Sequence, residues 1–188
     1  MAINKKELLY IPNLLSIFRL ILLIPTGYLI LFEFETKKNV IIALMVLMYV
    51  TDLLDGYIAR HLNQVSETGK IIDPLADKIS VTVIALLIFA KGFIPLWFLI
   101  AVITRDLFIL LFGLYLKEKY NIVLMSNIPG KIAVFGIGLV LLFALLQVPI
   151  INEFISYFYY IILLLIIYSS ILYFIRFKQA IGEKNGNH

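Results

Sequence analysis

Six long apolar runs leave this chain few ways to fold. They cover residues 11–32, 39–61, 70–91, 94–117, 128–149 and 153–177. A run of about 20 apolar residues can cross the ~30 Å hydrocarbon layer as a helix. Inside that layer only helices and closed barrels pair all of their backbone polar groups. A barrel would show short segments of alternating hydrophobicity, which are absent here. Hydrophobic residues make up 62% of the 188-residue chain and the mean hydropathy is +1.01. Soluble domains sit near ~45–50% apolar, and a soluble core of this size could not hide the excess. The connections between runs are short. The expected architecture is therefore all-α: a polytopic membrane protein with six transmembrane helices in one bundle, spanning residues 11–177.

The basic residues set an orientation. Lys5, Lys6, Arg60, Lys70, Lys117, Lys119, Arg176, Lys178 and Lys184 fall at the N-terminus, the second and fourth connections and the C-terminus. In the first connection Lys37 and Lys38 are offset by Glu33 and Glu35; the third has only Lys91, and the fifth has none. By the positive-inside rule both termini are expected in the cytoplasm. Residues 1–10 mix Ile3, Leu8 and Leu9 with Lys5, Lys6 and Glu7, which reads as a short interfacial segment or a frayed tail. Residues 178–188, ending GEKNGNH, read as a disordered cytoplasmic tail. The first apolar run is too long for a signal-peptide core and contains Arg19, so no cleavable leader is expected. Cysteine is absent, which excludes disulfides and thiolate metal sites.

Four of the five aspartates lie in one short stretch of this apolar chain: Asp52, Asp55, Asp73 and Asp77. Ionisable groups inside spans are costly, and each is by default a functional hypothesis. With the N-terminus inside, the second helix ends where the third begins, so all four acids lie at a similar depth near the cytoplasmic face. Asp52 and Asp55 are spaced i, i+3, and Asp73 and Asp77 i, i+4, so each pair shares one helical face. Facing pairs on adjacent helices would bring four carboxylates together, which cannot all stay ionised without cations. A set of oxygen ligands without Cys or His suits a hard divalent ion, Mg²⁺ or Mn²⁺ first among them. Four carboxylates suffice for two ions, the usual clamp for phosphoryl chemistry. Gly56, Ala59 and Gly69 leave room for a ligand against the backbone. Arg60 can grip a phosphate through two N–H groups, and Ser66 adds a hydroxyl. Pro74 fits only near a helix start. The plain alternative is a set of structural ion pairs.

Asp52–x2–Asp55–Gly56–x2–Ala59–Arg60–x8–Gly69–x3–Asp73–x3–Asp77 resembles the complete signature of the CDP-alcohol phosphotransferase family. IPNLLSIFRL (11–20) is similar to that family's Pro-Asn-x-Leu-Thr-x-x-Arg element, with Ser16 in place of Thr. The 55–78 segment, TRDLF (104–108) and NIPGKIA (127–133) are especially similar to bacterial phosphatidylglycerophosphate synthases. The resemblance implies a six-helix membrane enzyme, commonly a homodimer, in a bacterial or archaeal cytoplasmic membrane with its active site facing the cytoplasm. It implies a phosphatidyl transfer from CDP-diacylglycerol to a small phosphorylated alcohol, glycerol 3-phosphate first among them, with release of CMP. Asp52, Asp55, Asp73 and Asp77 would be metal ligands, and Asp77 also the general base. Asn13, Ser16, Gly56, Ala59, Arg60, Ser66 and Gly69 would contact the CDP-lipid. No nucleic-acid partner is expected.

Three further cations are placed to face the bundle interior: Arg19, Arg105 and Lys131. Burying an arginine in a span costs at least ~2.5–3.5 kcal/mol on insertion scales, so an anionic ligand or a neighbouring acid must offset it. Together they suit the phosphate of an acceptor. The alternatives are a structural Arg105–Asp106 pair, and snorkelling of Arg19 and Lys131 to the surface. Glycerophosphate-using relatives usually carry Gly-Lys-x-Lys-Thr in the fifth helix, whereas this chain has Gly130-Lys131-Ile132-Ala133-Val134. Inositol phosphate and phosphatidylglycerol are thus the rival acceptors. A cation transporter using the Asp cluster is the rival class, but neither an inverted repeat nor a pair of broken helices is present to support it.

Overall fold

The computed structural model describes residues 7–62, 64, 66, 69–120 and 127–185. Among them are a 3-10 turn (Glu7–Leu9) and six helices, α1 (Ile11–Phe32), α2 (Phe34–His61), α3 (Gly69–Ala90), α4 (Leu96–Tyr120), α5 (Ile128–Leu146) and α6 (Pro149–Asn185); no strand occurs among the described residues. The chain divides into two compact units, Met1–Phe93 with α1–α3 and Ile94–His188 with α4–α6. The division follows Gly92, whose φ of 75° is a conformation that L side chains rarely adopt.

In the first unit α1 opens on Ile11-Pro12, where the missing proline N–H would have lacked a helical partner anyway. Glu33 leaves the helix (φ −127°), and α2 carries a break at Lys37 (φ −118°, ψ 18°), so its regular part begins where the second apolar run begins. Ile30 of α1, Ile41 and Met48 of α2, and Ala76, Ile84 and Ile88 of α3 form the buried core. A Cβ on Gly27 would stand 3.3 Å from Leu87, so glycine admits α3 close to α1. Lys91 donates to the Leu31 carbonyl at 2.8 Å, placing a cation at the C-terminal end of α1.

In the second unit α6 packs on both α4 and α5. A Cβ on Gly136 would run into the Ile162 side chain, whereas one on Gly138 would meet nothing within 4 Å. Within this unit only the first of these two glycines serves close packing. Gln147 caps α5 in the left-handed region (φ 47°), and Val148 alone separates it from Pro149. The last helix therefore starts four residues before its apolar run. Trp97 stacks on Tyr160 at 5.4 Å and meets Tyr159 edge-on. Tyr157 and Tyr160 are exposed, as an interfacial belt requires, but Tyr159 is buried.

One expectation from the sequence changes. Residues 178–185 belong to α6, not to a disordered tail, because Lys178, Gln179 and Ala180 are good helix formers and no proline stops them where the apolar run ends. Among the described residues five of the six helices are long and apolar enough to cross a membrane by length and composition, and α3 is the exception. Asp73, Asp77 and Lys78 crowd its first two turns. Of the N-terminal segment, Glu7–Leu9 form the turn and residues 1–6 lie outside the described residues. Large apolar side chains point outward on several helices, for example Ile24 (74% exposed) and Leu164 (67%), as a lipid solvent allows.

Candidate active site

The acids of the first unit gather around two residues of α1. Asp52, Asp55, Gly56 and Ala59 follow one another along one face of α2 at helical spacing. Arg19, 2% exposed, turns its guanidinium onto that face. Its Nη1 lies 2.6 Å from Asp52 Oδ1, and its Nη2 donates to Asp55 Oδ2. Its Nε is buried and finds no acceptor among the described residues. Asp55 is buried, while the Asp52 side chain is 39% exposed, so the cluster opens on the Asp52 side.

Ser16, fully buried one turn before Arg19, links α2 to α3. Its Oγ lies 2.7 Å from Asp73 Oδ1, 3.2 Å from the Pro12 carbonyl and 3.4 Å from Asp55 Oδ2. A hydroxyl has one proton to give, and the shortest contact directs it to Asp73. Asp77 follows Asp73 by one turn and is half-buried. Arg19 and Ser16 thus draw carboxylates of two helices to a common point through hydrogen-bonded, charge-assisted contacts.

Below this cluster a second group fixes the start of α3. Asn13 donates to the Glu7 carbonyl at 2.6 Å and to Ser66 Oγ at 3.3 Å, and Ser66 Oγ accepts from the Gly69 N–H at 2.9 Å. Gln64 Oε1 accepts from the Ile11 N–H at 3.2 Å. The connection between α2 and α3 is therefore pinned to the first turn of α1 at two points. A Cβ on Gly69 would stand 2.6 Å from Asn13 Oδ1, so only glycine lets Asn13 approach. The Arg60 side chain lies outside the described residues.

Arg105 and Lys131 belong to the second unit. Buried Arg105 pairs with the adjacent Asp106 (Nη1–Oδ1 2.5 Å) and donates from Nη2 to the Gly130 carbonyl at 3.3 Å, while its Nε finds no acceptor among the described residues. Lys131 is exposed in the first turn of α5. That turn is capped by Asn127, whose Oδ1 accepts from the Gly130 N–H at 2.6 Å and from Ser169 Oγ at 3.3 Å. The sequence analysis passed over Asn127 and Ser169. An Asn directly ahead of Ile-Pro-Gly is a helix-start signal, but nothing local points to Ser169. The structure thus places Arg105 beside the backbone next to Lys131, and places Arg19 with the acids of the first unit.

Among the described residues no three acidic or histidine side chains form a ligand set around one point. The donor chemistry of the cluster nonetheless suits a hard divalent cation, because Asp52, Asp55, Asp73 and Ser16 offer only carboxylate and hydroxyl oxygens.

The described residues are thus helical, with several candidate membrane spans and a cluster in which acids of α2 and α3 meet Ser16 and Arg19 of α1. A profile described as CDP-alcohol phosphatidyltransferase matches residues 9–173, and the chain belongs to that family. It is 36% identical over 148 residues to a CDP-diacylglycerol--glycerol-3-phosphate 3-phosphatidyltransferase of Aquifex aeolicus, a match covering 77% of this chain and 78% of that one. It is 32% identical over 139 residues to the Mycoplasma pneumoniae protein of the same description, covering 64% and 61%. A cardiolipin synthase (CMP-forming) of Rattus norvegicus is 39% identical over 110 residues, covering 58% of this chain and 35% of its own. Of other curated relatives that it matches, such as one from Mycobacterium bovis, the chain spans about half the length (49%).

Proposed function

We propose that this protein transfers a phosphatidyl group from CDP-diacylglycerol to glycerol 3-phosphate, giving phosphatidylglycerol phosphate and CMP. The observation that carries this reading is the cluster in which Asp52, Asp55 and Asp73, from the stretch that resembles the family signature, meet Ser16 and Arg19 of the first-helix element, in a chain that the family profile matches over residues 9–173. Asp52, Asp55, Asp73 and Asp77 would hold the divalent metal, Mg²⁺ or Mn²⁺, as two ions. When bound, the metal neutralises the diphosphate and polarises its phosphorus. Asn13, Ser16, Gly56, Ala59, Arg60, Ser66 and Gly69 position the nucleotide and diphosphate. The acceptor hydroxyl attacks the β-phosphorus, its proton passes to an Asp77 carboxylate oxygen, and the bond from phosphorus to the CMP oxygen breaks. Arg105 and Lys131 bind the acceptor phosphate. Arg19 stays on Asp52 and Asp55, where it offsets like-charge repulsion. We place the protein as a homodimer in a bacterial or archaeal cytoplasmic membrane. It has six spans, and both termini and the active site face the cytoplasm.

A second reading, with phosphatidylglycerol as acceptor, draws on two observations. Some relatives are named cardiolipin synthases. In addition Ala133, at the position where glycerophosphate-type relatives carry a second Lys, is fully buried. The test is CMP release by the purified protein from labelled CDP-diacylglycerol against a panel of alcohols. Glycerol 3-phosphate as the preferred acceptor supports the first reading, and phosphatidylglycerol the second. Absence of CMP with every acceptor would remove the enzyme reading and favour transport.

Arg105→Lys keeps a charge but loses the planar fork that holds two phosphate oxygens. It is expected to raise the acceptor KM by roughly tenfold or more, with donor binding unaltered, as loss of a charged hydrogen bond of about 1.5–3 kcal/mol implies. Steady-state kinetics with each substrate varied in turn checks this. An unchanged acceptor KM with a lower melting temperature would assign Arg105 to the pair with Asp106 alone.

A further inference from the structure

We propose that the α4–α6 face of the second unit binds a phospholipid with an anionic headgroup, one acyl chain lying in a groove between the two helices. The groove is lined by Phe108, Phe112 and Gly113 of α4 and by Tyr173, Phe174 and Phe177 of α6. Both helices have the length and composition of membrane spans, so an open apolar groove between them is bathed in lipid chains. Gly113 is one of its lining residues, and a Cβ added there would meet nothing within 4 Å. The groove is shaped by ring contacts, Phe112 and Phe177 at 4.8 Å and Tyr115 and Phe177 at 6.0 Å.

Charge selects the headgroup. Tyr115, whose ring meets the groove residue Phe177, accepts a hydrogen bond from Lys119 at 3.0 Å. The Lys119 ammonium also lies over the rings of Tyr115 (5.4 Å) and Tyr120 (5.6 Å), and Lys178 lies over Phe174 at 4.9 Å. The two ammonium groups are thus held by aromatic faces, which attract cations without neutralising them. Lys117 and Arg176 are exposed on the same end of the two helices, and among the described side chains there Glu118 is the acid beside them. Four cations against one acid at the end of an apolar groove match a phosphate-bearing head with its chain below. None of these residues belongs to the carboxylate cluster or to the Arg105–Lys131 group, so the lipid is a bound partner and not the reacting donor.

The probe is phosphatidylglycerol against phosphatidylcholine of the same chains, read as lipid adducts of the whole protein by native mass spectrometry from detergent. Wild type is expected to retain phosphatidylglycerol preferentially. Lys119→Gln with Lys178→Gln should weaken that retention by about 25-fold, at about 5-fold per cation near a lipid surface, and leave phosphatidylcholine unaffected. Gly113→Leu fills the groove without touching the charges and should remove the same adduct. Its circular dichroism and CMP release should match wild type, so a folding defect is recognisable. Equal retention of the two lipids, or a number of phosphatidylglycerol adducts that neither change lowers, overturns the proposal. A dimer that Gly113→Leu dissociates, with no lipid adduct in wild type, overturns it in favour of a second copy of this chain.

Discussion

Turnover in an Asp77→Asn variant is expected to fall by a factor on the order of 10²–10⁴, while CDP-diacylglycerol still binds. That range is the usual worth of a positioned acid or base. Asparagine keeps the size and one carbonyl oxygen of the aspartate but cannot accept the hydroxyl proton. Asp77 lies one turn beyond Asp73 on α3, half-buried, while Asp73 is held directly by Ser16. Equilibrium binding of a radiolabelled CDP-lipid, set beside single-turnover rates, separates the two roles. If donor affinity drops as far as turnover does, Asp77 acts through the donor site, and the proton goes elsewhere.

The largest stability change is expected at Arg19. Arg19→Gln removes the cation between Asp52 and Asp55 and leaves the buried Asp55 carboxylate unpaired. Breaking a buried ion pair from one side costs about 3–5 kcal/mol, because the surviving charge keeps its desolvation penalty. The fold should therefore melt much earlier in detergent. Asp55→Asn added to Arg19→Gln should recover more than half of the loss, since it removes the orphaned charge. That recovery distinguishes an electrostatic role from simple packing, which the second change could not restore. An Arg19→Gln protein as stable as wild type would show that the guanidinium does not hold α1 to α2.

The helices were readable because a bilayer imposes one rule along the whole chain. The first run matches α1, and the third and fifth are displaced by one to three residues at an end. The larger differences have local causes. The start of α6 was hidden because the sequence carries no clear mark of the left-handed conformation at Gln147, and its end because helix propensity outlasts hydrophobicity. The Asp cluster was readable from i, i+3 and i, i+4 spacing, which fixes a face without reference to any other helix. The surroundings of Arg19 were not. Its partners lie 33 and 36 residues away on α2, and only the rotation of α1 against α2 decides whether it meets acids or an acceptor phosphate. The Asn127–Ser169 contact, 42 residues apart, was hidden for the same reason.

The length of α6 carries a mechanical consequence. Its 37 residues make a rod of about 55 Å, whereas a hydrocarbon layer of ~30 Å, crossed at a tilt of up to about 40°, takes up no more than about 40 Å of it. At least ~15 Å must therefore stand outside as a continuation of the same helix. A helix resists twisting, so torque applied to the protruding turns is delivered to the embedded ones. Among the embedded turns is Ser169, which grips Asn127 at the cap of α5, so that torque would be passed to the start of another helix.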